Sequence, residues 1–137
     1  MKLLPNLLPA VLLASCATSS ITTQEQRFKQ ADKDASGSVS RAEAVNLLIA
    51  EAHKMYDSDG NGQVTEAEYL ASGGKKANYD KIDRSGSDGI SLNEAQSNPM
   101  VFNIFSVSFN EADTNKNGEV TFAEYQSYLT LRDAAVR

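Results

Sequence analysis

Four times along the chain an aspartate opens a twelve-residue stretch that closes on glutamate, with oxygen-bearing side chains at alternate positions in its first half. The first runs 32–43, with Asp32, Asp34 and Ser36 at positions 1, 3 and 5, Gly37 at 6, Val39 at 8 and Glu43 at 12. The second, 57–68, places Asp57, Asp59, Asn61, Gly62, Val64 and Glu68 at the same offsets. The fourth, 113–124, does so with Asp113, Asn115, Asn117, Gly118, Val120 and Glu124. The third, 83–94, keeps Asp83, Ser85, Ser87, Ile90 and Glu94 in register, but Asp88 stands at position 6 and the glycine has moved to position 7 as Gly89. Alternate side chains converge on one point only where the backbone curls tightly, and glycine permits that curl by taking a positive φ without steric cost. A solvated acidic turn has no reason to repeat glycine, aliphatic and glutamate at constant offsets, so the repeat calls for a shared guest, and converging carboxylates call for a cation.

Calcium fits the donor set. It is a hard cation that takes about 6 to 8 oxygens at roughly 2.3 to 2.6 Å, and a twelve-residue loop supplies them from side chains at positions 1, 3 and 5, the backbone carbonyl of position 7 and both oxygens of a glutamate at 12. Position 7 is held by Ser38, Gln63, Gly89 and Glu119, and Ser40 at position 9 of the first loop is expected to act through a water. Over roughly residues 22 to 135 the chain resembles the EF-hand superfamily. The resemblance implies an all-α fold of tandem helix-loop-helix motifs, with short β-bridges at position 8 through Val39, Val64, Ile90 and Val120. Two to four calcium ions are expected. Loop 57–68 is expected to be the strongest site. Loop 113–124 should bind more weakly than the first two because asparagines replace two aspartates, and loop 83–94 should be weakest because Asp88 has to adopt the left-handed turn at some strain.

With 13 basic residues against 18 acidic ones and no Lys/Arg cluster, nucleic acid is not an expected partner. Met1 and Lys2 precede an apolar run from Leu3 to Ala14 that is too short to span a bilayer and has the form of a secretory signal. Leu13-Ala14-Ser15-Cys16 resembles the bacterial lipobox, so residues 1–15 are expected to be cleaved and Cys16, the chain's one cysteine, to be lipidated. Residues 16–22 read as a flexible tether and 23–137 as a single domain carrying all four loops. The whole chain then looks like a bacterial EF-hand lipoprotein. It would be exported and touch the membrane only through its lipid. The residue after Cys16 is not aspartate, which would place it on the outer membrane facing the periplasm if the host is Gram-negative.

Ala44 to Tyr56 is too short for two helices, and Val45, Leu48, Ile49, Ala52, Met55 and Tyr56 share one face, so a single helix is expected to join the first two loops and keep them apart. Loops one and three are then expected to meet at one end, two and four at the other. Ser72-Gly73-Gly74 and Asn98-Pro99 are breaks at which the chain can turn back, with Asn98 able to cap a helix opened by Pro99. Met100, Val101, Ile104, Phe105 and Phe109 are expected in the core, and His53 as a partly buried packing residue. One histidine and no phosphate-cradling glycine loop leave no basis for an enzyme. The functional expectation is a calcium buffer or sensor of the cell envelope; the alternative is a calcium-rigidified adaptor that binds another envelope protein or a polysaccharide.

Overall fold

The computed structural model describes residues 23–136. The leader 1–15, the tether 16–22 with Cys16, and Arg137 lie outside the described residues. Among the described residues there are seven helices and four short strands. Helix α1 covers residues 23–31. It is followed by β1 (Ser38–Ser40), α2 (Arg41–Tyr56), β2 (Gln63–Val64), α3 (Glu66–Ala71), α4 (Lys76–Ile82), β3 (Ile90–Ser91), α5 (Leu92–Ser97), α6 (Pro99–Ala112), β4 (Glu119–Thr121) and α7 (Phe122–Val136). The fold is all-α with short β-bridges. None of the described helices is long and apolar enough to cross a membrane.

Helix α2 is the single helix expected between loops 1 and 2, and at 16 residues it spans about 24 Å. It packs along α6, whose 14 residues cover nearly the same length in the opposite direction. Loops 1 and 2 therefore lie at opposite ends of a two-helix strut. Their partners are not the expected ones. Strand β1 pairs antiparallel with β4, Val39 opposite Val120, and β2 pairs with β3, Val64 opposite Ile90. Loop 1 thus meets loop 4 and loop 2 meets loop 3, which corrects the alternate pairing of one with three and two with four.

The reason lies at the two breaks. Helix α3 ends after six residues in a Schellman motif: Gly73, at φ 88°, donates its N–H to Leu70 and Gly74 donates to Tyr69. The chain reverses there, and α4 returns along α3 to set loop 3 beside loop 2. At the second break Asn98, 2% exposed, caps α6 by accepting the N–H groups of Met100 (3.0 Å) and Val101 (3.4 Å), while its Nδ2 donates to the Lys81 carbonyl at 2.8 Å. Tied at its start to the end of α4, α6 then carries the chain back to loop 1.

Each loop pair has its own core. Around loops 2 and 3 lie Val45, Ile49, Val64, Tyr79, Ile82, Ile90, Ala95 and Val101. Around loops 1 and 4 lie two smaller clusters, Phe28, Ala31 and Val39 in one and Phe109, Ala112 and Val120 in the other, bridged by Ala44 and Tyr125. Phe28 meets Phe122 edge-on at 5.3 Å. Two residues are exposed against the sequence pattern, Met55 from the apolar face expected of α2 and Ile104 from the expected core. Met55 is 82% exposed, because the buried stripe of α2 runs Val45, Ile49, His53 at intervals of four, and Ile104 is 59% exposed at the edge of a cleft that it lines with Ala52 and Tyr56. Val101 and Phe109 are buried as expected, with Met100 and Phe105 packed against the core.

Candidate metal centres

The position-1 aspartate shapes three of the loops in the same way. Asp57 accepts the Asn61 N–H on Oδ1 at 3.1 Å and the Gly62 N–H on Oδ2 at 2.8 Å. Asp32 does the same with Ser36 and Gly37, both at 2.9 Å, and Asp113 with Asn117 at 3.2 Å and Gly118 at 2.9 Å. Gly37, Gly62 and Gly118 have φ near +88° (89, 87 and 89°), so their N–H groups swing inward onto the carboxylate. The position-3 side chains close the curl from the other side, Asp34, Asp59 and Asn115 each accepting the N–H two residues on at 2.9 to 3.1 Å.

The position-12 glutamates lie across the mouths of the loops. Glu68 Oε1 accepts the N–H groups of Ser58 (2.9 Å) and Asp59 (3.3 Å), and its Oε2 accepts Thr65 N–H (2.9 Å) and O–H (2.8 Å). Glu43, Glu94 and Glu124 repeat this on their own loops. Each is also the third residue of its helix, in a capping box with Ser40, Thr65, Ser91 or Thr121, whose hydroxyl accepts the glutamate N–H at 3.2 to 3.4 Å. Ser40 has a further role beside the one expected of it, since its hydroxyl caps α2 and donates to Glu43 at 2.7 Å. The pattern Ser/Thr-x-x-Glu at 40–43, 65–68, 91–94 and 121–124 was present in the sequence to be read as a cap. Backbone N–H donation by the cap residue, first of several hydrogen bonds, holds Glu68, Glu94 and Glu124 down at about 2 and lowers Glu43 as well, so all four are anions near neutral pH.

The donor sets can be tested against calcium. Carboxylate oxygens of Asp32, Asp34 and Glu43 lie within 4.8 Å of one another, and so do those of Asp57, Asp59 and Glu68. Oxygens sharing one calcium at about 2.3 to 2.6 Å cannot be more than about 5 Å apart, so each group meets the requirement. Each carboxylate oxygen of Asp32 and Asp57 accepts a single N–H and keeps a lone-pair site for a cation, whereas the Glu68 oxygens, which accept two or three hydrogen bonds each, would exchange some of them for it. Ser36 completes the first set beside the Ser38 carbonyl, to which its hydroxyl donates at 2.9 Å. Asn61 stands in the second, with Gln63 opening β2. The 113–124 loop has the same curl but two carboxylates in register, with Asn115 and Asn117 supplying neutral amide oxygens. Glu119, at position 7, turns its side chain across to accept the Ser38 hydroxyl at 2.8 Å, joining the paired loops.

The 83–94 loop differs. Among the described residues Ala35 and Lys116 are the non-glycine residues with positive φ, so Asp88 does not take the left-handed turn expected of it. The backbone N–H that reaches Asp83 is that of Gly86, at 3.0 Å on Oδ1. Ser85 and Ser87 face each other at 2.9 Å, and Ser87 donates to the Gly89 carbonyl at 2.9 Å. Gly89 serves close approach and not curl: a Cβ there would stand 2.9 Å from the Val64 carbonyl oxygen. His53 is buried at 8% exposure and is more than packing, since its Nε2 lies 3.0 Å from the Ile90 carbonyl. A histidine where two other hands carry phenylalanine was the available signal.

A family model for the EF hand matches residues 24–44 and 107–129, which are the two hands whose loops pair through β1 and β4. No curated protein matches the chain. The family is generally one of calcium-binding proteins without catalytic activity, and its match agrees with the two acidic groups in pointing to calcium. On these matches the chain carries EF hands at residues 24–44 and 107–129, and loop 57–68 repeats their construction between them.

Proposed function

We propose that the chain is a calcium-binding protein of the cell envelope, acting as buffer or sensor of external calcium and held to its membrane by a lipid on Cys16. The observation that carries calcium binding is the pair of three-carboxylate groups, Asp32–Asp34–Glu43 and Asp57–Asp59–Glu68, each gathered within 4.8 Å by its own curled loop. When bound, calcium supplies two positive charges and a coordination shell that these oxygens complete. The side chains of Asp32, Asp57 and Asp113 hold the curls, and the four glutamates close them. The envelope location rests on the leader and lipobox in the sequence.

Titration calorimetry on calcium-stripped protein tests the reading, and replacing Glu68 with Gln is expected to remove uptake by its loop. No heat of binding, or uptake unchanged in a combined Glu43→Gln, Glu68→Gln variant, would end it. Affinity separates the roles: sensors lie near about 10⁻⁷ to 10⁻⁵ M and extracellular modules near about 10⁻⁴ to 10⁻³ M. The adaptor reading has one observation in its favour, an apolar cleft between α1, α2, α6 and α7 floored by Phe28, Leu47, Phe109 and Tyr128.

A further inference from the structure

Loop 3 is the least suited to an ion and yet is firmly tied to the rest of the molecule. Its aspartate clamp is half made and Asp88 supplies no left-handed turn. Its strand is nonetheless fixed from two sides. Gly89 lies against the backbone of Val64 too closely to admit a side chain. From the last turn of α2, His53 reaches the Ile90 carbonyl at 3.0 Å in a buried setting, and since a carbonyl only accepts, the ring N–H donates. Phe28 and Phe109, which precede loops 1 and 4 by the same interval, carry no such donor.

Building on the calcium reading above, we infer that loop 3 takes no ion and serves as a protein-held template for loop 2, with His53 as the positioning residue that fixes β3 against β2. A loop that binds a cation has to be ordered to do so, and part of the interaction energy is spent on that ordering. A partner strand already held by the protein lowers this cost for loop 2. Loops 1 and 4 are joined to each other, through β1 with β4 and through the Ser38 hydroxyl on Glu119.

The test is a calcium titration of the full chain followed by backbone amide resonances. The amides of Gly37, Gly62 and Gly118, which donate to the position-1 aspartates, are expected to respond and saturate, and that of Asp88 to show no saturable response of its own. In His53→Phe, which keeps an aromatic ring and removes the donor, the affinity read at Gly62 is expected to fall about tenfold while Gly37 and Gly118 change by less than about twofold. His53→Gln, which restores an N–H donor, is expected to recover most of the loss. In calcium-free protein, amides of residues 63–64 and 90–91 are expected to exchange more slowly than those of 38–40 and 119–121, and His53→Phe to erase that difference. A saturable Asp88 response, unchanged Gly62 affinity in His53→Phe, or equal exchange at both ends in calcium-free wild type would overturn the inference. If His53→Phe loses its fold, the wild-type exchange contrast decides. A wild type that takes up no calcium would end the calcium reading, while the same metal-free contrast would still report whether His53 holds loop 3.

Discussion

The two ends of the molecule solve one construction problem with different material. The end formed by loops 2 and 3 comes from one continuous stretch of chain, reversed at Gly73, with Val64 and Ile90 paired across 26 residues. The end formed by loops 1 and 4 comes from the two extremes of the described chain, with its paired strands 81 residues apart. By loop-closure entropy alone the longer connection costs about 1 kcal/mol more. The backbones differ in the same sense. At position 4, where all four loops take positive φ, loops 2 and 3 use Gly60 and Gly86, whereas loops 1 and 4 use Ala35 (φ 56°) and Lys116 (φ 57°). A side chain in that region costs roughly 1 to 2 kcal/mol. One end is thus assembled close to its relaxed geometry and braced by His53, while the other carries strain and a distant closure that a bound ion would offset. The lesson is that loops of one grammar need not share one dependence on metal.

The largest expected effect would blur this contrast. Ile49, 1% exposed on the helix common to both ends, is expected to cost about 2 to 5 kcal/mol as Ile49→Ala. Chemical denaturation should then show one earlier transition for the whole molecule, and separate transitions for the two ends would show that α2 does not couple them. Gly89→Ala comes next, at about 1 to 3 kcal/mol, because the added methyl meets the Val64 backbone and not a movable side chain. Its damage should appear in amide exchange at residues 63–64 and 90–91 and spare 38–40.

Ala35→Gly and Lys116→Gly should act in the opposite direction, each stabilising calcium-free protein by about 0.5 to 1 kcal/mol once the greater freedom of unfolded glycine is subtracted. A thermal melt that moved down in both would remove strain as the difference between the ends. The smallest contrast concerns acid. All four capping glutamates have folded-state pKa values below the ordinary 4.5 of a glutamate, three of them at about 2. Their stabilising contribution is therefore fully present above about pH 4.5 and is lost as pH falls toward about 2. Circular dichroism of metal-free protein should show helix lost in that window at both ends together.

Much of the candidate site was legible because it is local. The oxygen positions, the glycine curl and the closing glutamate all fall within twelve residues, and the structure gathers the carboxylates of loops 1 and 2 within 4.8 Å of one another and repeats the curl in loop 4. The Asn98–Pro99 start of α6 and the single helix between the first two loops were equally open to reading. Asp88 was misjudged because the same glycine shift that vacated position 6 relieved a close approach at Gly89, and that approach involves Val64, far away in sequence.

Where each loop lies, which atoms it offers a cation, and the separation of loops 1 and 2 are written in the order of residues, because they follow from backbone sterics and helix rise over a dozen or so positions. The pairing of loop 1 with loop 4 and loop 2 with loop 3, the exposure of Met55 and Ile104, and the bond from His53 to Ile90 came instead from long-range packing. Those outcomes depend on the direction in which the chain reverses at Gly73 and Asn98, and a reversal's direction is settled by what the returning helix can bury when it arrives.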